Sequence, residues 1–257
     1  MFACFETFRT ALFACAKGSF GMPSVETGFL KRELSLGAKS YCFQVFVPSV
    51  WGLDSNLPAV LFLHGIGQRG DDGLRQTEKG LPGMIKDDPQ KFPFLVVMPQ
   101  CRAGVLWSEP DMVEMATKAL EQEIEEFGCD RRRIYLTGLS MGGHGTWKIA
   151  ATFTGVFAAA VPVCGYTGFV KNLAGQPAEN PHIWIAKRIG KTPVWAFHGE
   201  KDPEIPVAES RDMVAALKLV GGDVRYTEYS GVEHNCWDRA YAEPELLPWM
   251  LNQRLGA

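Results

Sequence analysis

The chain has 257 residues, 46% of them hydrophobic and 21% charged, with 27 glycines and a formal net charge of -3. That length fills one large core and leaves two full domains cramped, while the apolar content excludes a disordered or collagen-like chain. With a pI near 6.0 and no Lys/Arg-rich stripe, the chain lacks the electrostatic footprint that binds phosphate backbones, so nucleic acid is not expected as a partner.

In chain order, residues 1–25 come first. Phe2, Phe5, Phe8, Leu12 and Phe13 fall near helical spacing, while Glu6 and Arg9 interrupt any signal-peptide core. This predicts an amphipathic extension ahead of a catalytic domain over 26–257, with no clear signal peptide and a cytoplasmic location. Leu12-Phe13-Ala14-Cys15 has the look of a lipoprotein cleavage box but lacks the positive start and the continuous apolar run. Strands are then expected at 43–47, 59–63, 94–98, 133–137, 158–163, 193–197 and 224–229, several of them continuously apolar as strands buried on both faces are. Between them, 111–128 places Met112, Met115, Ala116, Ala119, Leu120, Ile124 and Phe127 on one helical face, with Glu121, Glu123, Glu125 and Glu126 outside and Gly128 as the stop. Helices also fit 207–220 and 241–255, the latter interrupted by Pro244 and Pro248. Strand–helix alternation predicts a mostly parallel sheet covered on both faces, with ligands at the carboxyl ends of the strands. The longest apolar run, 156–164, contains Pro162 and is too short to span a bilayer. Seven cysteines form no CxxC pair or metal-ligand spacing, and most are expected as buried thiols.

The chemistry is expected in the turns after those strands. Gly138-Leu139-Ser140-Met141-Gly142 is a G-x-S-x-G segment between a strand and a helix. Small residues there let the chain turn sharply and hold a serine at the apex, where the following helix aims unpaired N–H groups. Ser140 is the expected nucleophile; the bland alternative is a Gly-rich turn with an incidental serine. A serine hydroxyl needs a base, and that base needs an orienting carboxylate. Of five histidines, His234 follows the last strand and is the expected base. His64 and His198 end apolar strands, where a ring caps the strand, and both are assigned structural roles. Asp202, in the turn after the next-to-last strand, is the expected orienter, with Glu200, Glu204 and Asp238 as rival acids. The order Ser140, Asp202, His234 is that of α/β-hydrolases. The backbone N–H groups of Met141 and of Ile66, in the turn His64-Gly65-Ile66-Gly67-Gln68-Arg69-Gly70, are the expected oxyanion donors.

These stretches, LFLHGIGQRG, YLTGLSMGGHGTW, VWAFHGEKDPEIPV and YSGVEHNCWDRAY, resemble single-domain α/β-hydrolase esterases of the polyhydroxybutyrate-depolymerase-like, feruloyl-esterase-like and phospholipase/carboxylesterase-like families. The resemblance runs from about residue 28 to the C-terminus and implies the same roles for Ser140, His234 and Asp202. It implies an α/β-hydrolase fold, a mostly parallel sheet flanked by helices. Gln68 departs from it, many relatives having Glu there. Only residues 165–192 separate the strands at 158–163 and 193–197, and this span is expected as a loop too short for a sizeable lid. Trp107, Trp237 and Gln68 are candidate substrate contacts, the two tryptophans having packing as their alternative role. Cys164 and Cys236 both fall near the expected site, and a disulfide between them is a pairing to test. The function expected is a serine carboxylic ester hydrolase acting on short-chain or aryl esters, small or polymer-linked, without metal or organic cofactor. Its rivals are a feruloyl or acetyl-polysaccharide esterase, a serine peptidase and a non-catalytic binding protein of the same fold.

Overall fold

The computed structural model describes residues 26–52, 56–168 and 180–256; the extension expected over 1–25 lies outside them. The elements in order are β1 (Gly28–Leu36), β2 (Lys39–Val47), β3 (Ala59–Leu63), α1 (Leu81–Asp87), β4 (Leu95–Pro99), α2 (Pro110–Phe127), β5 (Ile134–Leu139) and α3 (Met141–Thr152). They continue with β6 (Ala159–Val163), α4 (Pro181–Ile189), β7 (Val194–Gly199), α5 (Ala208–Leu219), β8 (Val224–Tyr229), α6 (Trp237–Tyr241) and α7 (Leu246–Leu251).

All eight strands form one sheet in the order β1-β2-β4-β3-β5-β6-β7-β8. β1 and β2 pair antiparallel, β2 meets β4 antiparallel, and every pair from β4 to β8 is parallel. Strand alternation divides the core. Ala59, Leu61 and Leu63 of β3 pack on the face that also holds Met115, Trp147, Ile185 and Met213 from α2 to α5. Val60 and Phe62 face Ile85, Tyr241 and Trp249 from α1, α6 and α7. This is the expected α/β-hydrolase arrangement. Among the described residues no helix is long and apolar enough to cross a membrane.

Several expectations change. β1 is an edge strand whose charged Lys31, Arg32 and Glu33 hide its alternation, and α1, seven residues long, is too short to show a period. The stretch 241–255 holds only the last residue of α6 and the short α7 rather than one long helix, because the chain turns out of helix before Pro244, while Pro248 sits in the first turn of α7 where its missing N–H costs nothing. The span expected as a loop, 165–192, contains α4, capped by Asn180 Oδ1 accepting from the Ile183 N–H at 3.0 Å; residues 169–179 lie outside the described residues. Glu123, expected on the solvent face of α2, is buried. It takes Arg32 Nε at 3.5 Å, and burial raises its carboxyl above the ordinary range. The reason is helical period: Glu123 stands four residues from both Ala119 and Phe127, on the buried face of α2, where β1 supplies the Arg32 cation. Gly128 ends α2 as expected, at φ 60°, with its N–H on Ile124 O.

Candidate active site

The site follows from sheet register. In the order β4-β3-β5 the connections leaving β3 and β5 run to opposite sides, which opens a crevice at their carboxyl ends. Leu63 pairs with Gly138, so β3 and β5 end within one residue of each other and the turn after β3 lies beside the turn after β5. β7 and β8 end flush, with Gly199 opposite Tyr229, which brings the turns carrying Asp202 and His234 together.

Ser140 sits at φ 54° and ψ -117°, a strained backbone for a residue with a side chain. The turn survives because its flanks carry no Cβ. A methyl group on Gly142 would stand 1.9 Å from Leu63 O, and one on Gly138 2.5 Å from Gly142 O. The Ser140 N–H is anchored on Val163 O at 2.9 Å, and α3 begins directly after it.

Ser140, His234 and Asp202 come together in one line of hydrogen bonds. His234 Nδ1 lies 2.6 Å from Asp202 Oδ2, and Nε2 lies 2.9 Å from Ser140 Oγ. A carboxylate only accepts, so Nδ1 carries the proton, and the free lone pair on Nε2 is left for the serine O–H. Asp202 is itself fully committed: Oδ1 accepts the N–H groups of Glu204 and Ile205, each at 2.9 Å, and His198 Nε2 stands 3.2 Å from Oδ2. None of the rival acids occupies this position. Glu200 instead takes the Ser230 hydroxyl and the Gly231 N–H, and Asp238 takes the Asn235 amide.

His198 was expected only to cap its strand, and its contact with Asp202 is the part that sequence reasoning missed. Its Nε2 faces two acceptors, Ile205 O at 3.0 Å and Asp202, so it carries the proton, while Nδ1 accepts from Ser210 Oγ at 2.7 Å. Burial lowers its pKa and keeps the ring neutral. The signal was its position four residues before Asp202. His64 is structural as expected. Its Nε2 accepts the Cys101 N–H at 2.9 Å and its Nδ1 donates to Gly65 O, while burial lowers its pKa to about 4.

The two expected oxyanion donors sit on adjoining turns. Among the described residues neither the Met141 nor the Ile66 N–H has an acceptor, and the Met141 N–H lies at the positive end of α3. Arg69, also missed, clamps the Ile66 turn: its Nε donates to Ile66 O at 3.2 Å and its Nη1 to Val105 O at 3.1 Å. Gln68 is buried at this turn, its Oε1 packed over Gly65, and its carbonyl accepts from Gln100.

Two expectations are corrected here. Trp107 does not line a pocket: it is fully buried, donates Nε1–H to His64 O at 2.9 Å and packs on Gly145 behind the elbow helix. Cys164 and Cys236 are neighbouring free thiols, not bonded to one another. Burial pushes the Cys164 thiol well above its ordinary range, so the thiolate that disulfide formation needs is suppressed. Its Sγ stands within 4.8 Å of donor atoms of Asp202 and His234, but those two already face one another, and the set reads as packing beneath the hydrogen-bonded line rather than as a metal site. Trp237 does reach the site. Its ring stands edge-on to His234 at 5.5 Å between centroids, and with Asn235, Glu78, Asp87 and Asp238 it lines a cleft of about 420 Å³ beside the base.

The model of the dienelactone hydrolase family matches residues 100–243, a segment that holds the elbow, Asp202 and His234. The chain belongs to that family. Among relatives of this family member, poly(3-hydroxyalkanoate) depolymerase C of Paucimonas lemoignei is 33% identical over 263 residues, covering 88% of this chain and 58% of that protein. The bifunctional acetylxylan esterase/xylanase XynS20E of Neocallimastix patriciarum is 28% identical over 158 residues, 60% of this chain and 22% of that protein. The chain thus spans only part of the length of both curated relatives. Among solved structures, a thermostable esterase superposes with a TM-score of 0.74 at 31% identity, over 88% of this chain and 63% of that one. A Staphylococcus aureus fluorophosphonate-binding serine hydrolase shares the fold at a TM-score of 0.69 and 17% identity, over 88% and 99% of the two chains.

Proposed function

We propose that this member of the dienelactone hydrolase family hydrolyses carboxylic esters through an acyl-enzyme on Ser140. The observation that carries the reading is the line Ser140 Oγ, His234, Asp202, with contacts of 2.9 and 2.6 Å in the correct tautomeric sense. His234 Nε2 takes the serine proton as Oγ attacks the ester carbonyl, and Asp202 holds the ring and stabilises the imidazolium that forms. The Met141 and Ile66 N–H groups receive the oxyanion. His234 then protonates the departing alcohol, and the same nitrogen activates the water that cleaves the acyl-enzyme.

Short-chain and aryl esters suit a site of this kind, and the names of the relatives favour polymer-linked esters as a second reading. A peptide bond is the less favoured target. The test is active-site labelling with a fluorophosphonate probe and turnover of short p-nitrophenyl esters, alongside methyl ferulate, acetylated xylan and a peptide amide. Ser140→Ala is expected to abolish both labelling and turnover. Retained labelling in that variant refutes the nucleophile, and faster cleavage of the amide than of the esters refutes the substrate class.

A further inference from the structure

The mouth of the site carries a charge that ester hydrolysis does not require. Glu204 follows Asp202 by two residues, and its backbone N–H is one of the two that hold Asp202 Oδ1, so its Cα is tied to the triad acid. Its carboxylate stands 3.7 Å from His234 Nε2, while 67% of the side chain remains open to solvent. Among the described residues no Lys or Arg pairs with it, and its position is therefore not that of a surface ion pair. Nε2 is the atom that returns its proton to the departing alcohol. A group this close to Nε2 on the open side shares space with the alcohol half of a bound ester. Trp237, edge-on to the same ring, also lines a separate cleft that holds Glu78, Asp87 and Asp238 against the single cation Lys79.

We propose that Glu204 sets the charge preference of the alcohol side of the site, admitting esters of neutral and cationic alcohols and rejecting those of anionic ones. The inference rests on the reading of Ser140 and His234 as nucleophile and base. A carboxylate a few ångströms from the charge of a bound ligand, at a solvent-exposed mouth, changes relative kcat/KM by roughly three- to tenfold, and added salt screens the effect.

The test uses three acetate esters of matched size whose alcohols end in trimethylammonium, tert-butyl and sulfonate groups, with kcat/KM measured at low and high ionic strength. The expected order is cationic, then neutral, then anionic, with a cationic-to-anionic ratio of about tenfold or more at low salt that shrinks as salt is added. Glu204→Gln is expected to cut that ratio about threefold to tenfold and Glu204→Lys to reverse its direction. A ratio that is the same in the wild-type enzyme and both variants overturns the assignment to Glu204. Failure of the wild-type enzyme to hydrolyse any of the three esters overturns the ester-hydrolase reading itself, and this inference with it.

Discussion

Around Ser140 the chain is held by backbone packed against backbone, whereas around Asp202 and His234 it is held by side-chain hydrogen bonds. On the serine side, Gly138 and Gly142 leave no room for a Cβ, and the nucleophile keeps its strained φ of 54° because Leu63 and Val163 press against its turn. On the other side, Asp202 takes two backbone N–H groups and faces two imidazoles, so that position depends on protons being in the right places. A site built this way fails by steric clash at one end and by lost orientation at the other.

That contrast can be broken by substitution. On the hydrogen-bonded side, Asp202→Asn keeps the shape but removes the acceptor that fixes the His234 tautomer. A loss in kcat of about 10⁴ is expected in steady-state ester hydrolysis, with the thermal unfolding midpoint little changed. On the packed side, Gly142→Ala drives a methyl group into Leu63 O, so stability is expected to fall by about 3 kcal/mol or more, read from denaturant unfolding, with probe labelling lost in parallel. A large loss of rate without loss of stability in Gly142→Ala would erase the distinction between the two sides.

A third test concerns the turn that carries Ile66. His64 is neutral when folded, with a pKa lowered to about 4, whereas the unfolded chain takes up a proton at the ordinary value of 6.5. The unfolded state therefore binds more protons between those values. Stability from this ring is complete above pH 6.5 and is lost as pH falls toward about 4, an effect on the order of 3 kcal/mol. Unfolding measured across that window should show a shallower acid slope in His64→Asn than in the wild-type protein. The smallest effect is expected at Ser210, whose hydroxyl sets the tautomer of His198 and through it one hydrogen bond to Asp202. Ser210→Ala should lower kcat about threefold with KM unchanged, whereas a purely structural hydroxyl would alter stability and leave kcat alone.

Much of this protein is legible in residue order. The apolar run 59–63 is β3, the face of Met112 to Phe127 is α2, and the residues that meet at the site were named by their places after β5, β7 and β8. These are local matters: apolar period, turn chemistry and the freedom of glycine decide them within a few residues. Tertiary structure alone decided the rest. It brought Arg32 from a distant strand onto the buried Glu123, turned Trp107 inward onto His64, left Cys164 and Cys236 as neighbouring thiols, and set His198 against Asp202. Each depends on which strand lies beside which and in what register, and on how far burial suppresses charge. Composition and spacing carry neither. The 257 residues thus determined one α/β core and its candidate chemistry, while the register of β3 with β5 and of β7 with β8 brought that chemistry within hydrogen-bonding distance.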